Sequence, residues 1–146
     1  MEINEKNMTQ EEKELVLIDL CGRLPYGVRC SYPYGVDTLQ SIDLEDMSLT
    51  FNSVDDNYYE LDRNIEPYLR PLSSMTEEEY NDMYNQLYSS QEEFYRNCSN
   101  TDYIGKYIRL ITNDTVNDWL NKNMFDYRGL IKRGLALEAP EGMYNN

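Results

Sequence analysis

Two Thr-x-x-Glu sequences on either side of a stretch of alternating apolar and polar residues constrain the fold of this chain most strongly. The pairs Thr9 with Glu12 and Thr76 with Glu79 match the capping box, in which a hydroxyl and a carboxylate satisfy free amides at a helix start. Between them, much of the sequence over 26–53 alternates with period two, which is typical of half-buried strands. The sequence therefore predicts an α+β fold.

Shorter signals divide the chain further. Gly22 and Pro25 end the first helix, and a slip in the apolar spacing predicts a bulge in the second strand. Residues 65–72 contain two prolines and are predicted to form an extended connector rather than a helix. Ser89 and Ser90 are predicted to break the following helix. The predicted single domain comprises a helix over 10–22, an antiparallel meander over 26–53, a helical region over 76–123 and a C-terminal turn region over 124–146.

Negative charge is abundant and unevenly distributed. The 146 residues include 27 Asp and Glu against 13 Lys and Arg, with no histidine, for a net charge of −14. Residues 54–100 carry eleven acids and three bases, whereas residues 101–146 carry six of each. This charge argues against nucleic acid or anionic lipid as a direct partner and favours a basic protein partner. The absence of histidine removes the commonest general base and the commonest metal ligand.

The cysteines and apolar runs predict a cytoplasmic protein. Cys21, Cys30 and Cys98 are widely spaced, are odd in number and form no CxxC pair, so we interpret them as buried thiols. Residues 1–10 show no signal-peptide pattern. The longest apolar run, residues 15–18, is far too short to span a membrane.

No strong catalytic motif is present. The chain lacks GxxxxGK[ST], GxGxxG, GxSxG and HExxH, so we predict no catalytic residue, no metal and no cofactor. Carboxylates between Asp43 and Asp62 are interpreted as solvated turns. A metal-dependent hydrolase or nuclease that uses this acidic cluster remains an alternative, because Mg²⁺ and Ca²⁺ prefer oxygen ligands.

Tyrosines at helical spacing are the second candidate feature. Tyr80, Tyr84 and Tyr88 form a row beside several carboxylates. The favoured interpretation is core packing, and the alternative is an exposed face that binds a basic partner. The candidate binding residues are Asp55, Asp56, Tyr58, Tyr59, Glu77, Glu78, Tyr80, Asp82 and Tyr84.

The C-terminal third contains two further features. Trp119 is interpreted as the core anchor of its helix. Arg128, Lys132 and Arg133 form a basic cluster that is too small for a nucleic-acid site, and we predict that it caps or pairs with nearby carboxylates.

Two stretches carry a resemblance to other sequences: PYLRPLSSMTEEE over 67–79 and WLNKNMFDYRGLIKRGLALEAPEGMY over 119–144. They resemble an uncharacterised family of short acidic proteins that recur in gut Bacteroidales genomes and their phages. The resemblance implies a bacterial or phage cytosolic context and no activity. The resulting hypothesis is a non-enzymatic acidic interaction protein, such as a phage-type inhibitor or nucleic-acid mimic of a basic host protein. A structural or virion-associated component is a further alternative.

Overall fold

The described chain forms three helices and a mostly antiparallel sheet, and this confirms the α+β class. The computed structural model describes residues 7–52, 57–97 and 104–144, without the side chains of 94, 95, 97 and 104–111. The helices are α1 (Gln10–Arg23), α2 (Glu77–Asn97) and α3 (Ile104–Lys122). The strands are β1 (Arg29–Tyr32), β2 (Gly35–Asp43), β3 (Ser48–Phe51), β4 (Tyr59–Glu60), β5 (Glu66–Pro71), β6 (Phe125–Asp126) and β7 (Leu137–Glu138).

Both predicted capping boxes form. The Thr9 hydroxyl accepts from the Glu12 amide at 3.1 Å, and the Glu12 carboxylate accepts from the Thr9 amide at 2.9 Å. The corresponding distances for Thr76 and Glu79 are 3.1 and 3.0 Å. The helix predicted over 10–22 is α1, which ends at Arg23 and passes into a 3₁₀ turn over Leu24–Tyr26. Each capping box satisfies two amides that a helix start otherwise leaves without partners.

The strands form one sheet in the order β4-β3-β2-β1-β5-β6, and β7 also pairs with β5. Strands β1 to β4 pair antiparallel in sequence order, and the predicted bulge in β2 lies between Leu39 and Ser41. Strand β5 is antiparallel to β1 but parallel to β6 and β7. The C-terminal region, predicted as turns, therefore also contributes two short strands.

Most residues over 65–72 are extended, as predicted, but they are not merely a connector. Residues 66–71 form the interior strand β5. Pro67 and Pro71 lie near the two ends of the strand, so their missing amides interrupt little of its pairing. The amide of Arg70 donates to the Met124 carbonyl at 2.7 Å, and the Leu69 carbonyl accepts from Ala139 at 2.7 Å. The residues between the prolines thus make the bonds that hold β6 and β7.

The predicted break at Ser89 and Ser90 is also wrong, since both lie inside the continuous helix α2. Serine costs a helix only a few tenths of a kcal/mol more than its neighbours. Packing of α2 against α3 outweighs that cost. Gln91 adds a side-chain hydrogen bond to Thr112 of α3 at 3.0 Å, which ties the two helices together beyond the serines.

Among the described residues the core has two parts. In the larger one, α1 covers the sheet, and its buried residues include Val16, Leu20, Leu49, Phe51 and Leu69. The smaller one joins α3 to β6. Its buried members are Trp119, Leu120 and Phe125, and Trp119, at 3% exposure, is the core anchor that the sequence predicts. Helix α2 packs half-buried Met83 against this smaller cluster.

Candidate functional site

Tyr80, Tyr84 and Tyr88 form an exposed row along α2, which we call the tyrosine ridge. Their exposed fractions are 54, 56 and 55%. The favoured core interpretation of this row is therefore wrong. Met83 and Leu87 lie on an adjacent row of α2 and are half-buried, and Met83 packs against the cluster that contains Trp119 of α3. The tyrosine row is rotated away from this side of the helix, and α3 is the main packing partner of α2 among the described elements, so the tyrosines stay in solvent.

A carboxylate lies at each end of the tyrosine ridge. Glu77 precedes Tyr80 by three residues, and Glu92 follows Tyr88 by four, so both lie on the same side of the helix. Both are exposed. A hydrogen bond to the Glu92 carboxylate raises the pKa of the Tyr88 hydroxyl. The ridge is thus aromatic along its length with a carboxylate at each end, of which Glu92 also forms an exposed pair with Arg96 at 3.7 Å.

Two other carboxylates of α2 hold the helix in place. The Asp82 carboxylate accepts from the Trp119 indole at 2.9 Å, so this predicted binding residue joins α2 to α3. Glu79 forms a bidentate pair with Arg70 of β5 at 2.6 and 2.8 Å. Glu78 is exposed and lies four residues before Asp82, on the flank away from the ridge. Of the predicted carboxylates on α2, only Glu77 belongs to the ridge.

The Arg70–Glu79 pair makes stability depend on acid pH. Hydrogen bonds from Arg70 are the main cause that lowers the pKa of Glu79 from 4.5 to about 2. A lowered folded-state pKa adds stability above the unfolded value, and this contribution disappears as pH falls from about 5 to about 2. In Glu79→Gln the free energy of unfolding should fall less steeply over this window than in wild type. The two slopes should differ by at most about 1.4 kcal/mol per pH unit.

Urea unfolding at a series of pH values measures this effect. The matched control is Glu78→Gln, which removes a neighbouring exposed carboxylate and should leave the wild-type slope unchanged. Equal slopes for wild type and Glu79→Gln would contradict the assignment.

The remaining predicted residues lie elsewhere. Asp55 and Asp56 lie outside the described residues. Tyr58 is exposed, and Tyr59 lies on β4, where its ring packs 5.3 Å from Tyr32 and 6.1 Å from Tyr34. Strand β4 is at one edge of the sheet, whereas α2 is attached through Arg70 and α3 to β5 and β6 near the other edge. The structure therefore does not place these tyrosines on the ridge.

The acidic turn residues act as turn caps. The Asp43 carboxylate accepts from the amides of Glu45 and Asp46, at 3.0 and 3.3 Å, and Asp62 accepts from Asn64 at 2.7 Å. Aspartates commonly stabilise turns in this way. Within the described parts of the chain, no group of three or more His, Cys, Asp or Glu is arranged to hold a metal ion.

A buried ion network is the main feature that the sequence interpretation missed. Arg23 and Asp19 are fully buried and 2.8 Å apart, and Arg23 also donates to the Phe125 carbonyl at 2.6 Å. Arg128 reaches Asp19 at 3.2 Å, as predicted for the C-terminal basic cluster. Tyr127 lies beside both guanidinium groups, 5.4 and 4.7 Å from its ring centroid. The only sequence signal is the spacing of four residues in α1.

The cysteines differ in their environments. Cys21 is exposed, so its predicted burial is wrong, because it lies on the solvent side of α1. Cys30 is buried in β1, and burial raises the pKa of its thiol to about 12. Cys98 lies outside the described residues. A buried thiol with such a pKa is unreactive at neutral pH.

The tyrosine ridge offers aromatic faces and carboxylates to a basic group. Aromatic faces attract guanidinium groups, and the terminal carboxylates can pair with them. No helix in the described residues is long and apolar enough to cross a membrane. Comparisons with protein-family models, curated proteins and solved structures find no match to this chain.

Proposed function

We propose that this chain is a small non-enzymatic interaction protein whose tyrosine ridge binds a basic segment of a protein partner. The observation that carries the proposal is the exposure of Tyr80, Tyr84 and Tyr88, each more than half accessible to solvent. Tyrosine is enriched at protein interfaces because it offers a large, stiff contact area with a polar tip. Three such residues on one helix row make a continuous surface.

The chemistry of the ridge favours arginine in the partner. A guanidinium group stacks on a tyrosine face and pairs with a carboxylate in a bidentate manner, whereas an ammonium group does neither as well. Glu77 and Glu92 supply carboxylates at the two ends. The net charge of −14 adds long-range attraction for a basic partner, which raises the association rate at low salt.

The spacing of the ridge defines the partner segment further. Residues four apart on a helix are separated by about 6 Å along its axis, which is close to two residues of an extended chain. Tyr80, Tyr84, Tyr88 and Glu92 follow this spacing. An extended partner with arginine at every second position therefore fits the ridge in register.

Nucleic-acid-binding proteins commonly present arginines on an exposed surface. On this proposal the chain is a phage-type inhibitor that competes with nucleic acid for that surface. Its carboxylates take the place of the phosphates. The uneven charge supports this extension, since residues 54–100 carry a net −8.

A labelled peptide with arginine at alternate positions provides a defined test by fluorescence anisotropy. Tyr84→Ala should weaken binding about tenfold, because a central aromatic contact contributes more than about 1 kcal/mol. Tyr34→Ala is the matched control, since it removes a tyrosine that is 78% exposed on the β1–β2 turn. This control should change the affinity by less than about twofold.

Two comparisons make the peptide experiment decisive. A lysine peptide of the same spacing should bind more weakly, and binding of both should fall when salt rises above about 150 mM. Equal weakening by Tyr84→Ala and Tyr34→Ala would show that the ridge is not the binding surface. Binding that is indifferent to salt would contradict the proposed electrostatic attraction.

A further inference from the structure

A cavity of about 410 Å³ opens between β1, β2 and the C-terminal end of α3. We call it the basic groove, because its lining includes Arg29, Arg70 and Lys122 and, among the described residues, no carboxylate. The chain as a whole has twice as many acids as bases. Among the described residues, the charged ones that line this cavity are all cations, in contrast to the acidic chain as a whole, and this indicates a site for an anion.

Two of the three cations have no ionic partner in the described structure. The Arg29 guanidinium donates to the Thr38 hydroxyl at 3.4 Å, and neither Arg29 nor Lys122 forms an ion pair with a described carboxylate. Arg70 differs, because its guanidinium is paired with Glu79. The groove thus presents two cations that form no ion pair with a described residue, one from the sheet and one from α3. The Asp118 carboxylate lies beside the groove and is bonded to the Tyr26 hydroxyl.

The phenols that line the groove add no negative charge. The Tyr144 hydroxyl accepts from the Arg29 amide at 2.9 Å and donates to the Tyr68 carbonyl at 2.7 Å. Its burial raises the pKa of Tyr144. Tyr26 donates to the Asp118 carboxylate at 2.6 Å, which raises the pKa of Tyr26. Both hydroxyls therefore stay protonated at neutral pH.

The backbone around the groove is held in a fixed shape. Gly27 and Met124, which both line it, have positive φ angles of 77° and 62°. Such a conformation in methionine is strained, and it persists only where the surrounding contacts impose it. The Met124 carbonyl accepts from the Arg70 amide, and its side chain is 1% exposed. A wall fixed in this way needs little ordering when a ligand binds.

We propose that the basic groove binds a phosphate monoester, with Arg29 and Lys122 holding the phosphoryl oxygens. A phosphate monoester carries between one and a half and two negative charges at neutral pH, so it compensates both cations, whereas a carboxylate compensates only one. The volume leaves room for a small attached group. A neighbouring cavity on the other side of Arg70 is lined by Glu79, Glu138 and Glu141, and it would repel the same ligand.

Titration calorimetry of the full chain with inorganic phosphate, phenyl phosphate and benzoate tests this assignment. Both phosphates should bind with a dissociation constant of about 1 mM or lower, and benzoate at least about tenfold more weakly. Arg29→Gln and Lys122→Gln should each weaken phosphate binding about tenfold or more. Lys132→Gln is the matched control, because it removes an exposed cation outside the groove and should change the affinity by less than about twofold.

The results of these titrations distinguish specific phosphate binding in the groove from a general effect of net charge. Absence of saturable phosphate binding up to about 20 mM would overturn the proposal. Equal weakening by Lys132→Gln and Lys122→Gln would also overturn it, because the effect would then come from net charge. Thermal unfolding of each variant confirms that it is folded, and Arg29 and Lys122 give two independent tests. Tyr84→Ala should leave phosphate binding unchanged, so failure here is distinct from failure of the proposed peptide binding.

Discussion

Replacing Arg23 with methionine is expected to destabilise the protein by about 3–5 kcal/mol, the usual cost of leaving a buried charge without its partner. The side chains of Arg23 and Asp19 are both completely buried and share two hydrogen bonds, at 2.8 and 3.0 Å. Removing the guanidinium leaves Asp19 with only the partly exposed Arg128. Because domains of this size are stable by about 5–15 kcal/mol, the variant should lose a large fraction of its stability.

Urea unfolding of wild type and Arg23→Met measures this loss. The matched control is Arg96→Met, which breaks the exposed pair with Glu92 at 3.7 Å and should change stability by less than about 0.5 kcal/mol. A double variant, Asp19→Leu with Arg23→Met, should be more stable than Arg23→Met alone, because no buried charge remains between them. A loss below about 1 kcal/mol in Arg23→Met would contradict the role of the network.

Phe125→Ala is the second large change, with an expected loss of about 3–5 kcal/mol. The Phe125 ring is completely buried, stacks on Trp119 at 5.7 Å, and lies 4.2 Å from the Arg70 guanidinium. Removal of this ring therefore weakens the packing of α3. It also leaves Arg70, which pairs with Glu79 of α2, less firmly positioned. The cavity left behind adds to the lost transfer free energy.

Trp119 reports this change directly, because it is the single tryptophan of the chain. In Phe125→Ala its fluorescence should shift to longer wavelength as its environment becomes more polar, and the urea midpoint should fall. Tyr58→Ala serves as the control, since it removes an aromatic ring that is 69% exposed and should leave both measurements near wild type. An unchanged Trp119 spectrum in Phe125→Ala would contradict the proposed packing.

Local signals in the sequence predict the local structure well. Both capping boxes and the bulge in β2 depend on residues that are close in sequence, and all three form where predicted. Strand β5 is different, because its prolines argue against a sheet and its parallel partners come from β6 and β7, far along the chain. No local sequence pattern predicts the pairing of β5 with β6 and β7.

For the candidate site, too, local sequence predicts the arrangement of residues but not their burial. Helical spacing places Tyr80, Tyr84 and Tyr88 in one row, but it does not show whether another element covers that row. They are exposed because α3, the main packing partner of α2 in the described structure, contacts another side of the helix. For Asp19 and Arg23 the sequence does not predict burial, since a spacing of four residues is common for exposed ion pairs as well as buried ones. Burial in both cases is decided by contacts between distant parts of the chain.

The pairing of β5 also sets the order in which the protein can be completed during synthesis. Residues 66–71 can join β1 as soon as they leave the ribosome, but β6 and β7 follow only after both long helices have been made. Until then the nascent chain presents β5 as an open strand edge, the kind of surface on which other chains pair and aggregate. The acidic α2 emerges directly after that edge, and its negative charge repels other copies of the chain during this interval.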